Sequence, residues 1–164
     1  MAVLPIRVWP DPVLTQRAIP VAAIDEAVRK LAADMLETMY AAPGRGLAAP
    51  QVGVSLRLFV MDPTWKEGVR APVVAINPDV LAMSDDRAVG PEGCLSIPGV
   101  TAHVGRARDI RISWTDLDGA RHVETWTGFA AICAQHEYDH LDGILTLDRM
   151  SPEARARALT EVER

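Results

Sequence analysis

The sequence predicts an α+β fold, and three observations carry that expectation. Short strand-like runs gather in the middle of the chain, helical periodicity lies near both ends, and the two kinds of segment do not alternate as βαβ units would. Residues 4–21 hold Pro5, Pro10, Pro12 and Pro20, so they read as extended chain, because proline removes a donor and disfavours helix at the residue before it. Asp25 stands where it can cap a helix over residues 26–40, in which Ala27, Val28, Leu31, Met35 and Met39 recur at three- and four-residue steps. That spacing makes one buried face, and Met35 and Met39 belong to the core.

Pro43 and Gly44 end this helix and open a glycine-bearing loop, Gly44-Arg45-Gly46-Leu47-Ala48-Ala49-Pro50-Gln51. Strand-like runs follow at residues 56–61, 73–77 and 108–116, the last pairing with 122–127 across an Asp118-Gly119 turn. In its first arm Ile110, Ile112 and Trp114 alternate with polar residues, as a half-buried strand requires. A second helix starts near Gly128 and stops at Gly143, and Ser151-Pro152-Glu153 caps a last one rich in Ala, Arg and Glu. No repeat or low-complexity tract interrupts the pattern.

Composition narrows the function classes. A chain of 164 residues, 49% hydrophobic and 24% charged, has the length and make-up of one soluble domain spanning residues 1–164. A net charge of −5 argues against a nucleic-acid surface, and the Arg106, Arg108, Arg111 cluster, broken by Asp109, reads as a solvated strand edge. The first twenty residues carry no apolar run of signal-peptide length, and no segment approaches the roughly 18 apolar residues that span a membrane. Cys94 and Cys133 then read as thiols, and the cytoplasm is the expected compartment.

Chemistry concentrates in His136-Glu137-Tyr138-Asp139-His140 on the second helix. Residues four apart share a helical face, so both imidazoles can reach one metal ion while Glu137, beside it, handles a proton. A catalytic site needs a third protein ligand and an open position. No histidine follows His140, and Thr146 stands where a long metzincin motif would carry its third one, so a downstream ligand would have to be Asp148 or Glu153. Cys94, in Glu92-Gly93-Cys94-Leu95-Ser96, is the better candidate, since thiolate suits a borderline metal and Gly93 lets the backbone come close.

Three segments, Gly44 to Gln51, Glu92 to Ser96 and His136 to His140, stand in the order and spacing of the signature motifs of the peptide deformylase family, which the chain resembles over nearly its whole length. The Trp9-Pro10-Asp11-Pro12-Val13-Leu14 segment and the Asn77-Pro78 step are similar too. The resemblance implies mixed or antiparallel sheets around a central helix carrying the histidines. It implies removal of the formyl group from N-formylmethionine of nascent polypeptides, with one divalent metal, iron(II) by family habit and zinc(II) as the alternative, held by Cys94, His136 and His140. Glu137 would be the general acid–base, and the Gln51 amide and Leu95 backbone N–H would receive the developing oxyanion. Gly46 and its neighbours would hold the peptide backbone. Phe129, Ile132 and Cys133 would wall the methionine pocket, and Glu92 would support the site through an ion pair with Arg106. The partner is then an N-formylmethionyl nascent peptide, met near the ribosome exit, with no direct nucleic-acid or membrane contact.

Two places depart from the family pattern: Arg45 replaces a common aliphatic residue, and Gly90-Pro91 stands where a larger side chain is common. Both border the expected cleft, and Arg45 should lean over it with its charged end in water. The rival readings are a hydrolase of another formylated or acylated amine, a non-catalytic metal-stabilised binding protein, and a zinc protease. Intact Glu137 and Gln51 speak against the second, and the missing downstream ligand against the third. His103 and His122 receive no role, and the sequence sets neither oligomeric state nor peptide preference beyond the first residue.

Overall fold

The computed structural model describes residues 2–162. Its elements run α1 (Glu26–Ala41), β1 (Gly46–Ala48), β2 (Leu58–Met61), β3 (Val73–Met83), β4 (Arg87–Cys94), β5 (Ile97–Ala107), β6 (Asp109–Thr115), β7 (Arg121–Thr127), α2 (Gly128–Leu141) and α3 (Pro152–Val162). Two sheets form, one of five strands in the order β1-β2-β3-β6-β7 and one of two, β4-β5. Every strand pairing in both is antiparallel. The α+β expectation holds, in its antiparallel form.

The larger sheet is covered on both faces. Alternation along β2 divides the work: Leu58 and Val60 pack with Met35 and Met39 of α1, while Phe59 and Met61 pack with Ala131, Ala134 and Leu141 of α2. A strand buried on both faces must be apolar throughout, and Leu-Phe-Val-Met is. A third apolar group, including Leu14, Cys94, Ile97 and Leu147, joins the β4-β5 hairpin to the α3 end.

Local chemistry sets the boundaries. The Asp25 carboxylate accepts from Val28 N–H at 3.0 Å, so α1 begins where its cap predicts. Asp116 Oδ1 accepts from the N–H groups of Asp118 and Ala120, and Gly119 takes φ +84°, which closes the β6-β7 turn. Asn77, at φ +47°, is held there by a two-way clasp on Val21: its Oδ1 accepts from Val21 N–H at 2.8 Å and its Nδ2 donates to Val21 O at 3.0 Å. The resulting register shift lets β3 run past Pro78 to Met83, beyond the 73–77 that the apolar run marks.

Two expectations are corrected. The glycine loop folds partly into β1 and a 3-10 turn at Ala49–Val52, because pairing with β2 satisfies its backbone. Arg106 is no solvated edge residue: its side chain is 4% exposed and ion-paired on both sides, whereas Arg108 does face solvent. The β4-β5 hairpin itself gave no strand signal, since Gly90, Pro91 and Gly93 lower strand propensity and only a partner strand compensates.

Candidate metal centre and substrate cleft

Helix α2 carries His136, Glu137 and His140 into the interior beside the turn that follows β4, where Cys94 ends the strand. Gln135 fixes this approach, donating to Ala107 O at 2.8 Å and accepting from Ala107 N–H at 3.1 Å, so the helix is tied to β5 one residue before His136. Arg57 ties the far end, donating to Leu141 O at 2.8 Å and to Asp142 Oδ1 at 3.0 Å, a cation at the helix C-terminus.

Cys94, His136 and His140 offer ligand atoms that all lie within 4.8 Å of one another, the one such cluster among the described residues. Cys94 Sγ stands 3.4 Å from His140 Nε2. Tetrahedral zinc with ordinary Zn–S and Zn–N bonds would put these two atoms about 3.6 Å apart, so the donor set fits a metal without rearrangement. His136 Nδ1 donates to Glu92 Oε1 at 3.0 Å, which leaves Nε2 free to ligate. Asp148, the alternative ligand, is elsewhere, accepting from Leu145 N–H at 2.8 Å and from Arg155 at 3.1 Å.

Behind the cluster lies a buried chain of charges. Arg106 grips Glu92 with two donors, at 2.9 and 3.0 Å, and reaches Asp139 Oδ2 at 2.6 Å. Arg149 then holds Asp139 at 2.8 and 3.1 Å. Burial works to raise the Glu92 pKa, but the hydrogen bonds from His136 and Arg106 outweigh it and bring it down to about 2. Asp139 and Arg149 were missed in the sequence; the available signal was an acid three residues after His136 on a helix too apolar to solvate it.

Glu137 is 4% exposed, and its Oε1 has no hydrogen-bond partner among the described residues. Burial comes first in raising its pKa to about 7; the Glu92 charge adds to the rise, while His136 opposes it. Its room depends on Gly46, where a Cβ would come 2.9 Å from Glu137 Cδ. The missing side chain at Gly46 thus makes room for the acid. Burial and His136 hold the His140 pKa well below the usual imidazole value, which suits a neutral ligand.

Gln51 is buried, and its amide is oriented by Ala48 N–H, which donates to Oε1 at 2.9 Å. Nε2 therefore faces Cys94 Sγ at 3.8 Å and Ser96 Oγ at 3.1 Å. Ser96, fully buried, had no role in the sequence reading, although it stands in the Cys94 motif. A cleft of about 560 Å³ opens above these groups, lined among others by Leu95, Phe129, Ile132 and Cys133. Cys133 is a wall residue whose thiol donates to Arg45 O at 3.4 Å, and it stands outside the ligand cluster. Gly90 is not among the lining residues, while Pro91 is.

Arg45 differs from expectation. Its guanidinium is not free in water: Nη2 lies 3.3 Å from Glu67 Oε1, and Cζ stacks 5.0 Å over the Phe129 ring. A cation beside an exposed aromatic face gains from both, so it folds back onto the rim.

The chain that carries this constellation of two helix histidines, a hairpin cysteine and a buried acid matches a family model described as polypeptide deformylase over residues 3–156. The chain belongs to the polypeptide deformylase family. A peptide deformylase of Alkalilimnicola ehrlichii is 49% identical over all of this chain and 91% of its own length, and one of Rhizobium meliloti is 48% identical over 92% and 87%. Among solved structures, the peptide deformylase of Thermotoga maritima superposes with a TM-score of 0.87 at 44% identity, covering 93% of this chain and 100% of that one. That of Ehrlichia chaffeensis in complex with actinonin gives 0.93 at 38% identity, covering 99% and 97%. No described helix is long and apolar enough to cross a membrane.

Proposed function

We propose that the chain performs its family's reaction, removing the formyl group from the N-formylmethionine of nascent polypeptides and releasing formate, with Cys94, His136 and His140 as metal ligands and Glu137 as the general acid–base. The observation that carries this reading is the buried Glu137 carboxylate, unpartnered among the described residues, next to a preassembled Cys-His-His cluster at the floor of a cleft. A purely structural metal site has no use for such an acid. A divalent metal held there supplies Lewis acidity, which makes water nucleophilic near neutral pH.

Glu137 accepts the proton of the attacking water, and a pKa near 7 lets it return that proton to the leaving nitrogen. The water oxygen joins the formyl carbon, the C–N bond breaks, and formate and a free methionine amine result. Gln51 Nε2, aimed by Ala48, and the Leu95 N–H donate to the formyl oxygen as it gains charge. Glu92, braced by Arg106, keeps the His136 ring in its tautomer and orientation. The peptide lies extended along Gly46 at the edge of β1, which among the described residues pairs with β2 alone, and the methionine side chain enters the pocket of Phe129, Ile132 and Cys133.

Iron(II) is the resident ion in this reading, with zinc(II) as the alternative that the same donors accept. In this reading the enzyme works in the cytoplasm, on peptides near the ribosome exit. A formate-release assay on formyl-Met-Ala-Ser with anaerobically iron-loaded protein is the test. Turnover by wild type and loss of most of it in Glu137→Gln is expected; equal rates would overturn the mechanism.

A further inference from the structure

The rim of the cleft carries a weakly paired cation, Arg45. Arg45 lines both the 560 Å³ cleft and a neighbouring hollow of about 370 Å³, and together with Phe129 it forms the ridge between them. The guanidinium rests on the Phe129 ring and meets one anion, Glu67, at 3.3 Å. Glu67 is 65% exposed, so solvent competes for it. Lys66 adds a second cation to the cleft lining. The acids on the cleft floor do not cancel these charges at the rim, since Glu92 is already neutralised by Arg106 and Glu137 is buried against the ligand cluster.

Resting on the deformylase reading above, we propose that Arg45 is a specificity-determining residue that selects peptides with an acidic side chain at the second or third position, and that Glu67 is the built-in competitor that such a side chain displaces. Arg45 directly precedes β1, so a peptide extended along the β1 edge passes the ridge after its first residue. Its carboxylate can take the place of Glu67 on the guanidinium without disturbing the stack on Phe129, while the hollow, which Glu67 also lines, gives that residue room to turn aside. The loop carrying Arg45 is fixed enough for this to be selective. Trp65 Nε1 donates to Gly44 O at 2.9 Å, and Asp62 N–H donates to Arg45 O at 2.9 Å, so the backbone stays while the side chain exchanges partners.

The experiment compares formyl-Met-Glu-Ser with formyl-Met-Gln-Ser on wild type, Arg45→Met, Arg45→Lys and Glu67→Gln, at low and high salt. Wild type should prefer the acidic peptide by roughly fivefold or less in kcat/KM at low salt, the scale of one exposed ion pair. The preference should lie in KM, because the contact is remote from the scissile bond, and should shrink at high salt. It should vanish in Arg45→Met, persist in reduced form in Arg45→Lys and grow in Glu67→Gln. Equal acidic-to-neutral ratios in wild type and Arg45→Met, or a ratio unmoved by Glu67→Gln, would overturn the proposal. Calorimetric binding of the N-acetyl analogues reads the same ratio without turnover, so failure of formate release with an intact charge ratio would count against the deformylase reading alone.

Discussion

The two ion-paired arginines beside the cleft, Arg106 and Arg45, are held in opposite ways. Arg106 is 4% exposed, shares its donors between Glu92 and Asp139 at 2.6 to 3.0 Å, and through Glu92 fixes a histidine ligand. Arg45 is 32% exposed and has one exposed anion at 3.3 Å. Charges buried without full pairing are costly, so the inner network has one stable arrangement, whereas the outer pair is screened and exchangeable. On the proposed reading, the chemistry rests on groups that cannot reorient, and selectivity on groups that can.

Breaking the inner region should have the largest effects, beginning with the ligands. Cys94→Ala or His140→Ala should remove stoichiometric metal and with it all measurable turnover. Metal analysis checks this, and full occupancy in the Cys94→Ala protein would refute its place as third ligand. Glu137→Gln should retain metal while kcat falls by about 10²- to 10⁴-fold, the usual contribution of a positioned acid–base. Elemental analysis beside single-turnover kinetics separates the two, and metal loss in this variant would make Glu137 a ligand instead.

Arg106→Met leaves the buried Glu92 carboxylate without its arginine and Asp139 with Arg149 alone, and should cost about 3–5 kcal/mol of stability in urea denaturation. It should also weaken metal retention, because His136 loses its braced partner. A loss below about 1 kcal/mol would show that Arg149 and solvent take over, and that the network is less rigid than its distances indicate.

How much of this the sequence reveals follows the same division. His136 and His140 are legible because helical spacing alone puts them on one face with Glu137 beside the first, and the caps of α1 and the β6-β7 turn follow from local chemistry at Asp25 and Asp118-Gly119. Cys94 is legible only as a candidate on its thiolate chemistry, since its approach to the helix depends on a hairpin whose glycines and proline hide it. Arg106 looked solvated because a run of arginines carries no sign of which one turns inward; only the pairing of β4 with β5 decides that. The sequence leaves the Arg45 guanidinium in water, because neither Glu67, 22 residues away, nor the Phe129 contact is local in sequence.

The smallest expected effect sharpens the comparison most. If the rim is exchangeable, a double-mutant cycle on Arg45 and Glu67 should give a stability coupling below about 0.5 kcal/mol at moderate salt, because an exposed pair repays little more than the entropy of holding it. The parallel cycle on Arg45 and Phe129 should give about 0.5–1 kcal/mol, since a guanidinium over an aromatic face depends less on screening by salt. The ordering is the point: Arg45 should be anchored by the ring and merely visited by the acid. That order follows from the geometry, in which the stack is intimate and Glu67 stands at the far limit of a hydrogen bond. A coupling of 2 kcal/mol or more between Arg45 and Glu67 would mean that the outer arginine is clamped as firmly as the inner one, and no peptide carboxylate could then displace its partner.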